Sequence, residues 1–484
     1  MKKYLNDLLL FITYSVSVVV MRYCYPMPQV SWDSNYYIVK SIKKYPGMRP
    51  IGYSEFLTFF HDIRPGLNFV VWVQFAFHFV AVYVLLQAVK QFVKMNGLFY
   101  YILGVVLLLE PVALYNAINI LSDSIFSSLT FLYIATLAFY IRKGNYLFFV
   151  AHLLVIYCCI ETRHIALFYP FFSILALFLA TRRSLWIQAV NALLLVGVFM
   201  GLQAINKKRN EKAYGVPVAS AFSGWTQANN ALYAVPRINI DARFISDPEI
   251  RELHTFFKSY QESGAFIVHG VGSGYMWEGK SPLHVYRQKA EDSINQHGID
   301  EQNWFRSMYV VAPKFDRYGK YIQKNFPYEF LMSFIVPNIS TLIEPHDGEM
   351  SDYYIHPVLD EVALQHYHLR NEDFVCRKQI YKDHINAINL QLYQIRLLLF
   401  AACVVCIFLF RKEFKGLLPV NLIVVFSGFI IVYYLLTLYA SWFMPRYLLP
   451  VLPLLSVVIL VTLKVLFEHR RKLGEVMNAR YFKN

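Results

Sequence analysis

Residues 121–160 read LSDSIFSSLTFLYIATLAFYIRKGNYLFFVAHLLVIYCCI, two apolar runs separated by the cations Arg142 and Lys143. A hydrocarbon core of about 30 Å needs roughly 20 helical residues, and backbone inside it must satisfy its own hydrogen bonds. Each run is therefore predicted to be a transmembrane helix, with the two cations at the membrane surface. This alternation of apolar runs and basic gaps decides the fold class.

The same pattern extends over the whole chain and predicts ten spans. They cover residues 8–25, 67–90, 97–115, 121–141, 145–161, 165–181, 184–206, 390–410, 417–440 and 446–467. Composition agrees, since 57% of residues are hydrophobic and only 16% are charged. We therefore expect an all-α polytopic membrane protein with about ten transmembrane helices. The first run lacks a small-x-small cleavage pattern near Cys24, so it is expected to be a retained anchor.

Clustered cations occupy every second gap between these spans. They are Lys90 and Lys94, Arg142 and Lys143, Arg182 and Arg183, and Arg411, Lys412 and Lys415. Lys and Arg accumulate in cytoplasmic loops, so these gaps and both termini are predicted to be cytoplasmic. Two long loops then face outward, at residues 26–66 and 207–389. The cations of the first loop suit an anionic lipid ligand.

Three regions follow from this topology. Residues 1–206 form a seven-helix membrane module that holds the first outer loop. Residues 207–389 are long enough for an extracytoplasmic domain, expected to be mixed α/β or irregular. Residues 390–484 add three membrane helices and a cytoplasmic tail. An apolar stretch at residues 328–343 is interrupted by Pro337 and shorter than a span, so we interpret it as an interfacial or buried helix.

The net charge of +14 does not indicate a nucleic-acid partner, because most clustered cations lie at helix ends rather than on one soluble face. Among the cysteines, a bridge between Cys24 and Cys376 stays open as an alternative. A metal site in the outer segment is a second alternative, but solvated loop residues are favoured, and we expect neither metal nor cofactor. The residues concerned are His346, Asp347, Glu349, Asp352 and His356, or His366 and His368.

Two carboxylates near the outer surface are candidate catalytic groups. Asp33 lies in the first outer loop, where a carboxylate beside an arginine can combine a base with a phosphate-binding cation. The alternative for Asp33 is a loop carboxylate paired with a nearby lysine. Asp123 begins the fourth span, and simple capping of that helix is its alternative role.

Cations on the same face are candidate substrate-binding groups. Arg163 lies in a tight outer turn, where a guanidinium fork suits a phosphate, and a local pair with Glu161 is its alternative. Arg446 opens the last span among aromatic and proline residues, with interfacial anchoring as its alternative. The remaining candidates are His164 and three residues of the first outer loop, Lys44, Arg49 and Tyr53.

Four motifs follow one another in the chain: Asp33 in a loop ending in RPIGY (residues 49–53), P-x3-Y-x6-SD from residue 111, TRHIALFYP from residue 162 and PRYLLPVLP from residue 445. In this order they resemble the GT-C membrane glycosyltransferases, most of all the group that contains protein O-mannosyltransferases and bacterial aminoarabinose transferases. The likeness covers residues 1–206 and the last span, and it does not cover the outer segment.

The resemblance implies a GT-C-like fold and an inverting sugar transfer from a polyprenyl-phosphate-linked donor. Asp33 would activate the acceptor, Asp123 would match a second acidic residue, and Arg163 and Arg446 would lie near the donor phosphate. The acceptor is a lipid, a glycan or a protein, and the site is the outer face of a bacterial inner membrane. A transporter or lipid flippase is the alternative, although charges at the outer helix ends and a large outer segment favour an enzyme.

Overall fold

The chain is helical throughout the part that can be described. A computed structural model describes residues 2–43, 47–180, 183–266, 268, 270–294, 301–345, 361–367, 381–410, 412–413, 417–441 and 443–471. Six helices in these ranges are long and apolar enough to cross a membrane, which indicates an integral membrane protein as expected. They are Tyr4–Cys24, Leu67–Val89, Ser122–Lys143, Leu185–Tyr214, Asn389–Leu409 and Pro419–Ala440.

The other four predicted spans contain shorter helices, so the count of ten is not confirmed. These helices are Gly97–Leu108, Tyr146–Thr162, Leu452–Glu468 and the apolar stretch His164–Ala180, which opens with a 3-10 turn. Proline shortens two of them. Pro111 starts a separate short helix, Pro111–Asn116, after the first, and Pro453 stands in the first turn of the last helix.

The helix Ser122–Lys143 lies at the centre of the membrane bundle, with 89% of its most apolar stretch buried. Three of its buried hydroxyl groups donate to carbonyl oxygens of the same helix. Ser127 and Ser128 both donate to the carbonyl oxygen of Ser124, and Thr130 donates to that of Phe126. A polar helix start can therefore be buried, and Asp123 lies in the first turn of this helix.

The first outer loop folds onto the start of this central helix. It contains the helices Trp32–Lys43 and Gly52–Ile63. An isolated parallel bridge joins Gln29 to Asn119, and the Tyr37 hydroxyl is 2.9 Å from the Ser122 hydroxyl. Two distant parts of the sequence, each with a candidate carboxylate, are thereby held together.

The described part of the outer segment is helical, which corrects the expectation of a mixed α/β or irregular domain. Its longer helices are Ala221–Leu232, Pro248–Glu262, Pro282–Ile294 and Glu301–Asn325. Two glycines allow the backbones of these helices to pack closely against one another. A Cβ at Gly224 would lie 2.0 Å from the Ala312 carbonyl oxygen, and one at Gly319 would lie 2.5 Å from the Gln227 backbone. These helices bury a hydrophobic cluster of their own around Trp225.

The apolar stretch at residues 328–343 is helical, but with breaks. Helix Pro327–Phe330, a π-helical turn at Leu331–Ile335 and helix Val336–Ile343 follow one another. Together they bend by 105° from the preceding helix, which describes a broken span or a re-entrant segment. Buried Asn338 donates to the carbonyl oxygens of Leu438 and Ser441, at 2.7 and 2.8 Å, and so binds this segment to the end of a membrane helix.

Candidate functional site

Asp33 forms ion pairs with two arginines from opposite ends of the chain. Its Oδ1 is 2.6 Å from Nη2 of Arg49, and its Oδ2 is 3.2 Å from Nη1 of Arg446. The partners are therefore arginines rather than the lysine that the simpler alternative supposed. Arg446 is buried, with only 7% of its side chain exposed, which differs from an interfacial anchor in lipid headgroups.

The backbone around Arg49 is held by residues of the preceding helix. The Arg49 N–H donates to the Tyr36 hydroxyl at 3.1 Å, and Lys40 Nζ donates to the Arg49 carbonyl oxygen at 2.7 Å. Gly47 allows this close approach, since a Cβ there would lie 1.8 Å from the Tyr36 hydroxyl. The position of the guanidinium is thus fixed through its main chain as well as through Asp33.

Asp123 is buried and forms an ion pair with Arg163. The helix that it begins has no side-chain cap hydrogen bond at Leu121, so capping does not explain this carboxylate. Glu161 does not pair with Arg163 as the local alternative supposed, because its Oε2 lies 3.2 Å from Nη1 of Arg209. Each candidate carboxylate therefore has an arginine partner of its own.

A cavity of about 590 Å³ opens in front of these ion pairs. Its polar wall includes Arg49, Arg163 and His164. Much of the remaining wall is aromatic and comes both from membrane helices and from the outer segment. These aromatic residues are Tyr37, Phe168, Phe171, Phe199, Phe222, Trp277, Tyr433, Tyr439 and Tyr447. The cavity therefore combines a cationic wall with an apolar surface that continues into the membrane region.

Aromatic rings support both cavity arginines. The Arg49 guanidinium lies 5.6 Å from the centre of the Tyr37 ring and 5.7 Å from that of Trp277. The Arg163 guanidinium lies 5.3 Å from the centre of the Tyr447 ring. Stacking on aromatic faces orients a guanidinium and leaves its edge N–H groups for hydrogen bonding, which favours planar recognition of a phosphate or carboxylate.

The electrostatic state of Asp33 follows from its partners. Burial alone would raise the pKa of this carboxyl, but the positive charges of Arg49 and Arg446 outweigh it and hold the pKa at about 2. Asp33 is therefore an ionised carboxylate at neutral pH and, in this pairing, a weak proton acceptor. Burial lowers the pKa of the nearby Lys40 ammonium to about 7, although Glu161 acts in the opposite direction.

The remaining predicted residues have different positions. His164 lines the cavity, and its Nε2 lies 3.2 Å from the Met48 carbonyl oxygen and 3.1 Å from the Ser220 hydroxyl. Tyr53 is fully buried and donates to Gln74 Oε1 at 2.9 Å, so it supports the loop without reaching the cavity. Lys44 lies outside the described residues.

The structure adds two residues that sequence reasoning did not select. Lys40 could have been found from sequence, since it lies seven residues after Asp33 on an amphipathic helix. No sequence feature identifies Trp277, because the packing of the outer segment places it beside the cavity.

The metal and disulfide alternatives concern residues that are largely outside the described ranges. These include residues 346–356, His368 and Cys376. Of the predicted metal set, His366 is described, and its ring stacks on His61 with centres 4.2 Å apart. Within the described part of the chain, no group of three or more His, Cys, Asp or Glu side chains could hold a metal ion.

Comparisons with known proteins give one distant structural likeness. No family model matches the sequence, and no curated protein matches it. Among solved structures, the chain aligns with archaeal oligosaccharyltransferase AglB from Archaeoglobus fulgidus, in complex with an inhibitory peptide and a dolichol-phosphate, at 10% identity and a TM-score of 0.46. The alignment covers 100% of this chain and 53% of that one, so the chain spans about half of its length. A TM-score of 0.46 does not establish a shared fold.

Proposed function

We propose that this protein is an integral membrane glycosyltransferase of the GT-C kind. It would transfer a sugar from a polyprenyl-phosphate donor to a lipid, glycan or protein acceptor on the outer face of a bacterial inner membrane, with both termini cytoplasmic. One observation carries the proposal: Arg49 and Arg163 stand in the wall of a cavity whose other walls are largely aromatic. A lipid-linked phosphate needs both surfaces at once.

The donor fits this cavity by its chemistry. A guanidinium fork binds phosphate oxygens through paired charge-assisted hydrogen bonds, which Arg49 and Arg163 can supply. The polyprenyl chain would lie along Phe168, Phe171 and Phe199, which belong to membrane helices. Burial of its isoprene units contributes the hydrophobic part of the affinity.

The reaction is an inverting displacement at the anomeric carbon of the sugar. The bond from that carbon to the phosphate oxygen breaks, the bond to the acceptor oxygen forms, and the acceptor hydroxyl proton passes to a carboxylate. Positive charge develops on the sugar ring and negative charge on the departing phosphate. Arg49, Arg163 and Arg446 would stabilise that negative charge, so the leaving group needs no general acid.

Asp33 is the proposed base, but its ion pairs with arginines make it a poor proton acceptor until the donor binds. With both guanidinium groups on its oxygens, it binds a proton only near pH 2. A donor phosphate that engages Arg49 in the cavity wall replaces the carboxylate as the partner of that guanidinium. Asp33 then loses one stabilising positive charge and gains a negative neighbour, and both changes raise its pKa. The base would thus become active only when the donor is bound.

Asp123 has a different proposed part. Its side chain is only 3% exposed and lies against Arg163, whereas the side chain of Asp33 is 22% exposed, although neither carboxylate is among the residues that line the described cavity wall. From there it would hold the Arg163 guanidinium in place without touching the acceptor. We therefore assign it a positioning role in phosphate binding and assign the proton to Asp33.

The first test is binding of undecaprenyl phosphate, the type of product that such a transfer releases. Purified protein in lipid nanodiscs is titrated with undecaprenyl phosphate and, as a control, with undecaprenol, and the complexes are counted by native mass spectrometry. We expect the phosphate to bind at least tenfold more tightly, since charge-assisted hydrogen bonds contribute about 1.5–3 kcal/mol each. Equal binding of the two lipids would contradict a phosphate site.

A second test separates the enzyme from a transporter. Detergent-solubilised membranes are incubated with a panel of radiolabelled polyprenyl-phosphate sugars, and label is followed into a covalently linked product. A glycosyltransferase forms that product without a sealed membrane. Movement of intact donor across proteoliposomes, with no covalent transfer from any sugar in the panel, would favour the transporter.

A further inference from the structure

The outer segment contacts the loop that carries Arg49. The Tyr309 hydroxyl, on the helix Glu301–Asn325, donates to the carbonyl oxygen of Gly47 at 3.1 Å. Met48, the next residue, is only 4% exposed and packs into the hydrophobic cluster of the outer segment rather than into that of the membrane bundle. Gly47 and Met48 therefore contact the outer segment, although in sequence they belong to the first loop.

The helix Trp32–Lys43 and His164 hold the same loop through three other contacts. His164 Nε2 lies 3.2 Å from the Met48 carbonyl oxygen, and Lys40 and Tyr36 bond the main chain of Arg49. The loop is thus bonded on one side to the outer segment and on the other to the helix Trp32–Lys43 and His164. A shift of the helix Glu301–Asn325 would act on Gly47 and, two residues on, on the guanidinium in the cavity wall.

We propose that Tyr309 is a positioning residue that sets Arg49 for phosphate binding, so that the outer segment takes part in the site without contacting the phosphate. The part of this inference that concerns phosphate rests on the proposed function. The hydroxyl is the group that matters, because it donates a hydrogen bond to the carbonyl oxygen of buried Gly47. Without it the Gly47–Arg49 loop keeps its contacts to Tyr36, Lys40 and His164 but loses its hydrogen bond to the outer segment, so the main chain at Arg49 is held less firmly.

The helix itself offers a matched control. Tyr318 is also fully buried on the same helix, but its hydroxyl lies 3.2 Å from His254 Nδ1, inside the outer segment. Tyr309→Phe and Tyr318→Phe therefore remove the same atom from comparable environments. Only the first removes a bond to the loop that carries Arg49.

The first readout needs no ligand. Hydrogen exchange of peptides that span residues 47–50 is measured on full-length protein in nanodiscs. We expect Tyr309→Phe to speed exchange at the Arg49 amide about tenfold and Tyr318→Phe to leave it unchanged. Equal exchange rates in the two variants would overturn the positioning role, whatever the protein binds.

The second readout is undecaprenyl phosphate affinity in a double-mutant cycle with Arg49→Gln. Tyr309→Phe alone should weaken binding about tenfold, and it should cost nothing further once Arg49 is replaced, because it acts through that side chain. Independent, additive losses would overturn the inference. If Arg49→Gln itself leaves affinity unchanged, the phosphate site of the proposed function fails, while the exchange measurement still decides whether Tyr309 positions the loop.

Discussion

Arg446 Nη1 lies 3.2 Å from Asp33 Oδ2, although 413 residues of sequence separate the two side chains. The first outer loop and the turn before the last membrane helix thus meet at one carboxylate. Arg49 completes the cluster from the other oxygen of Asp33. With Arg163 and Asp123 nearby in the same site, three arginines face two carboxylates, and this excess of guanidinium charge favours an anionic ligand.

Replacing Arg163 should separate its contribution to stability from its contribution to phosphate binding. Arg163→Gln leaves the buried Asp123 carboxylate without its cation, and such a loss destabilises a protein by about 3–5 kcal/mol. Adding Asp123→Asn removes the unpaired charge. We therefore expect the double variant to regain thermal stability yet to bind undecaprenyl phosphate at least tenfold more weakly than wild type. Melting curves and native mass spectrometry report the two effects. If the double variant regained both thermal stability and phosphate affinity, Arg163 would serve stability alone.

Lys40 should make donor affinity depend on pH near neutrality. Its pKa of about 7 means that it carries charge at pH 6 and has mostly lost it at pH 8. A cation close to the phosphate site is thereby removed as pH rises, so affinity should fall a few-fold. The probe is the methyl ester of undecaprenyl phosphate, a phosphodiester whose single charge is constant over this range.

Lys40→Gln is the control for that titration. Glutamine keeps a donor for the Arg49 carbonyl oxygen but has no charge to lose. The variant should therefore show constant affinity from pH 6 to pH 8. A pH dependence that survives in Lys40→Gln would assign the titration to another group.

Gly47 should tolerate no side chain. A Cβ there would lie 1.8 Å from the Tyr36 hydroxyl, so Gly47→Ala must displace Tyr36 and break its bond to the Arg49 N–H. Overpacking of this kind costs about 1–3 kcal/mol, and we expect phosphate affinity to fall with it. Gly197→Ala is the matched control, since a Cβ at that helical position would meet no atom within 4 Å beyond its chain neighbours and the nearby backbone of its own helix. Similar affinities for the two variants would contradict a role for this bond in placing Arg49.

The membrane helices could be predicted from sequence because their signal is local. Apolar runs bounded by basic residues predicted a helix at each position, and Arg142 and Lys143 do lie in the last turn of theirs. The lengths were less predictable. Pro111 and Pro453 interrupt or delay helices inside runs that hydropathy alone reads as continuous.

The types of residue in the candidate site could be selected from sequence, but their pairing could not. Asp33, Arg49, Arg163 and Arg446 are candidates because the predicted topology places their charges at the outer membrane surface. Which carboxylate meets which arginine depends on contacts such as the bridge at Gln29, whose partner lies far along the chain. The outer segment was harder still, because close packing at positions such as Gly224 leaves no periodic signal that identifies a partner helix.

The most direct test of the account is a pair of measurements on Asp33→Asn. The amide removes the carboxylate that competes with phosphate for Arg49 and also removes the proposed base. Undecaprenyl phosphate should then bind at least as tightly as in wild type, while transfer from the labelled donor falls by a factor of about 10²–10⁴. Near-normal transfer by the variant, or loss of phosphate binding in a variant that still folds, would contradict the role of Asp33 as the base.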